Sequence, residues 1–113
     1  MFDLQARWLH HLWTHPDTLP SQAARLADEE ADVKHRQQEL GQSLQQLHVM
    51  SKLQWAYNQQ LAQEAHTAPL ADWRQAIYND SNASKPDMPW TYKLNEYTLD
   101  RESGTWSKEP YLG

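Results

Sequence analysis

The chain has 113 residues, a formal net charge of −5, no cysteine and a hydrophobic fraction of 39%. The length is one domain's worth of chain. The acidic balance argues against general binding to nucleic acid or anionic membranes, which works through clustered Lys and Arg. The missing thiols exclude disulfides, thiolate catalysis and every cysteine-containing zinc pattern.

The start, MFDLQARWLHHLW, has an acid at position 3 and no cationic segment ahead of an apolar run, so no signal peptide is expected. No stretch approaches the roughly 18 apolar residues of a membrane span. A cytoplasmic protein with no membrane contact is the expectation.

Residues 2–14 read as a first helix. Phe2, Ala6, Leu9 and Trp13 follow one face, and Leu4, Trp8 and Leu12 widen it. A helix this apolar is covered on more than one side. Pro16 ends it by restricting His15.

Ser21 suits an N-cap for the next helix. No proline follows until Pro69, and Ala, Gln, Leu, Glu and Arg dominate as far as His66. An unbroken helix over 21–66, about 69 Å long at 1.5 Å per residue, is the favoured expectation. The alternative breaks it near Gly41 into an antiparallel hairpin, since a lone glycine costs about 1 kcal/mol without forcing a break. Leu26, Val33, Leu40 and Leu47 fall seven apart, a repeat that favours left-handed coiling with a partner helix. Residues 47–61 are apolar all round, whereas RLADEEADVKHRQQE shows one thin apolar stripe amid charge. The core is therefore expected near 47–61, with the 21–40 end projecting or paired.

A third helix is expected after HTAP, with Thr67 as cap, Pro69 in the first turn and Leu70, Trp73 and Ile77 on one face. NDSNASKPDMP reads as a loop. Trp90, Tyr92 and Leu94 then alternate like a strand, Tyr97 and Leu99 continue in opposite phase, and the slip at Asn95–Glu96 suggests a bulge. DRESG before Thr105 and Trp106 reads as a hairpin loop, with Gly104 supplying a positive φ. An isolated hairpin is marginal in water, so its aromatics are expected to lie on segment 47–61 or on another chain.

The expected fold is mainly α in a single domain over 1–113. Its parts are helices over 1–79, a loop over 80–89 and an aromatic β-hairpin tail over 90–113.

The candidate chemistry is sparse. His11 and His15 are spaced i, i+4, as paired helical zinc ligands are, but no His-Glu-x-x-His pattern or suitably spaced carboxylate joins them. No metal site is assigned, and His35, His48 and His66 read as solvated or singly hydrogen-bonded. There is no Gly-x-Ser-x-Gly motif, and three glycines, at 41, 104 and 113, cannot form a phosphate-cradling loop. The DEEAD carboxylates lie in the least apolar part of the helix, where no pocket would tune them for acid–base work. Lys85, Lys93, Arg101 and Lys108 interleave with Trp90, Tyr92, Tyr97 and Trp106, as in single-strand binders, but acids nearby cancel that charge.

The expectation is a non-enzymatic adaptor or regulatory protein that needs no cofactor. It would bind another protein, or a second copy of itself, through Leu26, Val33, Leu40, Trp90, Tyr92 and Trp106. Single-stranded nucleic-acid binding and histidine-dependent metal binding are the alternatives.

Overall fold

A computed structural model describes all residues from Met1 to Gly113. The elements run α1 (Phe2–Thr14), a 3-10 turn (Pro16–Thr18), α2 (Gln22–Gln38), α3 (Leu53–Glu64), α4 (Asp72–Ser84), β1 (Glu96–Leu99) and β2 (Trp106–Glu109). The fold is mainly helical with a C-terminal two-stranded antiparallel hairpin. No helix is long and apolar enough to cross a membrane.

The chain divides into two compact units, Met1–Pro69 and Leu70–Gly113. The division precedes residue 79, where the sequence suggested the helical part would end, because α4 belongs with the hairpin.

In the first unit α1 lies on α3. Leu4 is 2% exposed, and Leu61, Ala62 and Asn58 are buried with it. Burying a leucine of this kind contributes about 1.5–3 kcal/mol. Polar contacts border that small core. Gln5 Nε2 donates to Tyr57 Oη at 2.9 Å, and Trp8 Nε1 donates to Glu64 Oε2 at 2.6 Å. Arg7 Nη1 donates to Thr67 Oγ1 at 3.3 Å.

The unbroken helix over 21–66 is not what forms. Ser21 does cap α2, its hydroxyl accepting from the Ala24 amide at 3.2 Å. The helix then stops before Gly41, whose φ of 65° lies in the left-handed region that glycine tolerates best. The Gln42 amide reaches back to the Arg36 carbonyl at 2.9 Å. Ser43 and Gln46 form a reciprocal capping box that opens a second 3-10 turn, Leu44–Gln46. Arg36 holds the return path. It is 9% exposed, pairs with Asp32 at 2.7 Å, and donates to the carbonyls of Leu47 at 3.1 Å and Val49 at 3.4 Å. A stop, a start and a buried arginine together outweigh the helix propensity of the intervening residues, which is only tenths of a kcal/mol each. Residues 47–52 are consequently non-helical, Val49 is exposed, and the buried part of the expected all-round apolar segment contracts to α3.

In the second unit α4 starts at Asp72 after Ala71, not at Thr67, and runs through NDSNAS, which the sequence assigned to a loop. Tertiary contacts stabilise that last stretch. Asp80 accepts from Tyr97 Oη at 2.8 Å and pairs with Lys108 Nζ at 2.9 Å. Lys108 also donates to Ser84 Oγ at 2.6 Å. The hairpin therefore docks on α4 within its own unit, which supplies the support that an isolated hairpin lacks.

Its first strand begins at Glu96, not Trp90, because Tyr92–Leu94 form a 3-10 turn. The phase slip at Asn95–Glu96 is the point where the strand starts. Tyr97 faces Lys108 and Leu99 faces Trp106 in register. The loop is the expected one: Gly104 has φ 71° and its amide donates to the Asp100 carbonyl at 2.9 Å. The Asp100 carboxylate accepts from the Glu102 amide and the Ser103 hydroxyl, which hold its pKa below the usual carboxylate value, the hydroxyl contributing most.

Candidate functional site: an outward apolar stripe and a histidine cleft

The six residues singled out from the sequence divide equally between the units. Leu26 and Leu40 are 57% and 46% exposed, and Val33 is half-buried. Trp90 is 91% exposed, while Tyr92 and Trp106 are half-buried. Tyr92 has the Lys85 and Lys93 ammonium groups 5.9 and 5.8 Å from its ring centre. Trp106 packs against Tyr97, ring centres 5.9 Å apart.

The orientation of α2 is informative. A groove of about 780 Å³ lies between α1, α2 and α3. From α1 and α3 it is lined by Trp8, Tyr57 and Leu61 among others. From α2 it is lined by a charged side that includes Arg25, Asp28, Glu29, Asp32 and Arg36. At 100° per residue, Leu26 and Val33 stand about a quarter-turn round from that side, and Leu40 lies two residues beyond the end of the helix. Neither Leu26 nor Val33 nor Leu40 lines the groove. The helix thus turns charge toward its own unit and leaves Leu26 facing water, with Val33 half-buried beside it. That inverts the usual arrangement of a surface helix, which buries its apolar stripe.

A second cleft, about 510 Å³, lies where α1 meets the end of α3. The His11 and His15 rings stack with centres 4.5 Å apart, and the His66 ring is 5.0 Å from His11. The pairing of His11 with His15 was legible from the i, i+4 spacing. The arrival of His66 was not, since it depends on α1 docking against α3. His66 occupies the left-handed position that closes α3, with φ 51°. Its amide donates to the Gln63 carbonyl and the Thr67 amide to the Ala62 carbonyl. This is a helix-ending motif in which glycine is usual. His15 Nδ1 is 2.9 Å from Thr14 Oγ1, and His11 Nε2 is buried without a hydrogen-bond partner. The His11 and His15 rings lie face to face instead of aiming at a shared point, and no group of three His, Asp or Glu side chains is placed to hold a metal ion.

The cation–aromatic alternation that suggested single-strand binding is largely consumed inside the second unit. Tyr97 and Trp106 pack on each other and Lys108 is engaged by Asp80. Trp90 and the Tyr92–lysine cluster are the parts that face outward. In comparisons with known protein families, with curated proteins and with solved structures, the chain matches none.

Proposed function

We propose that this is a non-catalytic binding protein, an adaptor or regulator, whose α2 pairs with a helix of another protein or of a second copy. One observation carries the reading. The chain does fold back after α2, yet the return leaves Leu26 57% exposed and Leu40 46% exposed, because the charged side of α2 takes the inward position. Leu26 and Val33 stand seven apart on α2 and Leu40 follows seven later, just past the helix end, and seven-residue spacing is that at which two helices coil together. The half-buried and exposed aromatics of the second unit, Trp90 and Tyr92, are residue types favoured as interface anchors.

The test is Leu26→Asp combined with Leu40→Asp. Both side chains are exposed, so the folded chain should lose little stability, within about 0.5 kcal/mol per site. Association should be lost. For self-pairing, light scattering reads a mass above the 13.3 kDa of one chain in the wild type and one chain's mass in the variant. For a different partner, the complex isolated with the wild type is missing with the variant. A wild type that remains a single chain and retains every partner after both substitutions contradicts the proposal.

A further inference from the structure

The histidine cleft contains a combination with no role in the α2 surface. Every titratable group that lines it is basic: Arg7, His10, His11 and His15 from α1, and His66 from the turn that closes α3. Its hydroxyls, Thr14 and Thr67, are neutral, and no carboxylate lines it. Asp3 is paired with Arg7 at 3.0 Å, and Glu64 accepts from Trp8 and Gln60. No acid is therefore placed to receive a charge that appears on the imidazoles. Neutral rings can stack at 4.5 Å and pack tilted at 5.0 Å, whereas imidazolium ions at those distances repel. The cleft also straddles the contact on which the first unit depends, since α1 and α3 supply its small core.

We propose that this imidazole cluster is a proton-operated latch, closed between α1 and the end of α3 when neutral and released when protonated. The direction of the effect follows from the environment of His11. Its pKa is lowered from the ordinary 6.5, first by burial of the ring and then by His15, His66 and His10. A histidine held below its unfolded-state value contributes stability that is present above that value. The contribution is lost as pH falls through about 6.5 and toward the lowered folded value. For each proton taken up on release, the opening equilibrium rises by up to about tenfold per pH unit across that window. The latch involves α1 and α3 and operates whether or not α2 finds a partner.

The experiment uses the full chain without any partner. Its readouts are the NMR signal of the Trp8 indole N–H, whose hydrogen bond to Glu64 reports the α1–α3 contact, and amide exchange in α1. Both are followed from about pH 7.5 to about pH 5.5, one unit either side of the ordinary histidine value. The wild type should show the Trp8 signal moving and α1 exchange accelerating severalfold beyond the intrinsic pH effect. His11→Phe keeps an aromatic ring in the stack but cannot be protonated, and should lose at least half of that acceleration. Should His11→Phe fold poorly, His66→Gly serves instead. It removes one imidazole and relieves the left-handed strain, so it should be at least as stable as the wild type and less sensitive to pH. His48→Gln, at an exposed site, should respond as the wild type does. A wild type with no transition in this window overturns the latch, as does an equal response in all the variants.

Discussion

Gly41→Ala separates the fold described here from the unbroken helix that the sequence favours, because the two give opposite signs. Gly41 has φ 65°, and a Cβ built there meets nothing within 4 Å, so the penalty is purely conformational. Forcing an L-residue into the left-handed region costs about 1–2 kcal/mol. Reducing the freedom of the unfolded chain returns about 0.4–1 kcal/mol. The net expectation is a loss of about 1 kcal/mol, or about 4–8 °C in Tm for a unit of this size. Inside a continuous helix the same change would stabilise by about 1 kcal/mol, the propensity difference between glycine and alanine. The two structures therefore differ by about 2 kcal/mol in this single measurement, well outside the error of a urea titration with a constant m-value. A variant that is more stable than the wild type and more helical by circular dichroism would refute the chain reversal at Gly41.

Two further substitutions probe the contacts that hold each unit. Arg36→Ala removes a buried donor from the carbonyls of Leu47 and Val49 and leaves Asp32, which is about half exposed, to water. Charged hydrogen bonds of this kind contribute about 1.5–3 kcal/mol each. With partial rehydration of the carbonyls, a loss of about 2–4 kcal/mol is expected in denaturant unfolding, and a change below about 0.5 kcal/mol would show Arg36 to be a surface residue. Asp80→Asn should destabilise the second unit by about 1–2 kcal/mol at neutral pH and flatten its pH dependence at both ends. The Asp80 carboxyl is held below the usual range, chiefly by the hydrogen bond from Lys108. Its stabilising contribution is therefore present above about pH 3.8 and lost as pH falls through the lowered folded value. The Lys108 ammonium is pushed up by Asp80, and the Tyr97 hydroxyl is pushed up first by burial and then by Asp80. Stability from both is present below their ordinary values and lost as pH rises through the raised ones. The part of the alkaline limb that comes from burial of Tyr97 should remain, whereas curves for Asp80→Asn that keep the acid limb and an undiminished alkaline limb would refute this role.

The element types were readable because each rests on local chemistry. The N-terminal helix, the Ser21 cap, the proline stop at 16 and the turn at Gly104 all appear where residue preferences place them. The first helix, however, is not covered on more than one side: it buries Leu4 and leaves Phe2, Leu9 and Trp13 exposed, because α3 is the helix that packs on it. The chain reversal after α2 was also written locally, as Gly41 followed by the Ser-x-x-Gln pattern of Ser43 and Gln46. A lone glycine is weak against a long run of helix formers, and Arg36 looks from sequence like one more solvated charge. Its burial depends on residues 47–50 returning across it, which no spacing rule announces. The C-terminal extension of α4 has the same origin: Asp80 and Ser84 resemble loop residues until Lys108 and Tyr97 meet them. Alternation at Trp90, Tyr92 and Leu94 misled for the opposite reason, since three alternating residues without a paired strand opposite do not make a ladder. Of the proposed surface, the stripe Leu26–Val33–Leu40 and its lack of cover were expected from the sequence, but the inward turn of the charged side of α2 and the meeting of His66 with His11 were not. Both depend on how α1, α2 and α3 pack.

The central claim is that another molecule covers the leucine side of α2. It is tested most directly by replacing Leu26 with a photo-reactive amino acid and irradiating the protein in its native cells. The expected adducts join position 26 to a different polypeptide or to a second copy of this chain. Adducts confined to the same chain would show that the protein shelters Leu26 itself, and would contradict it.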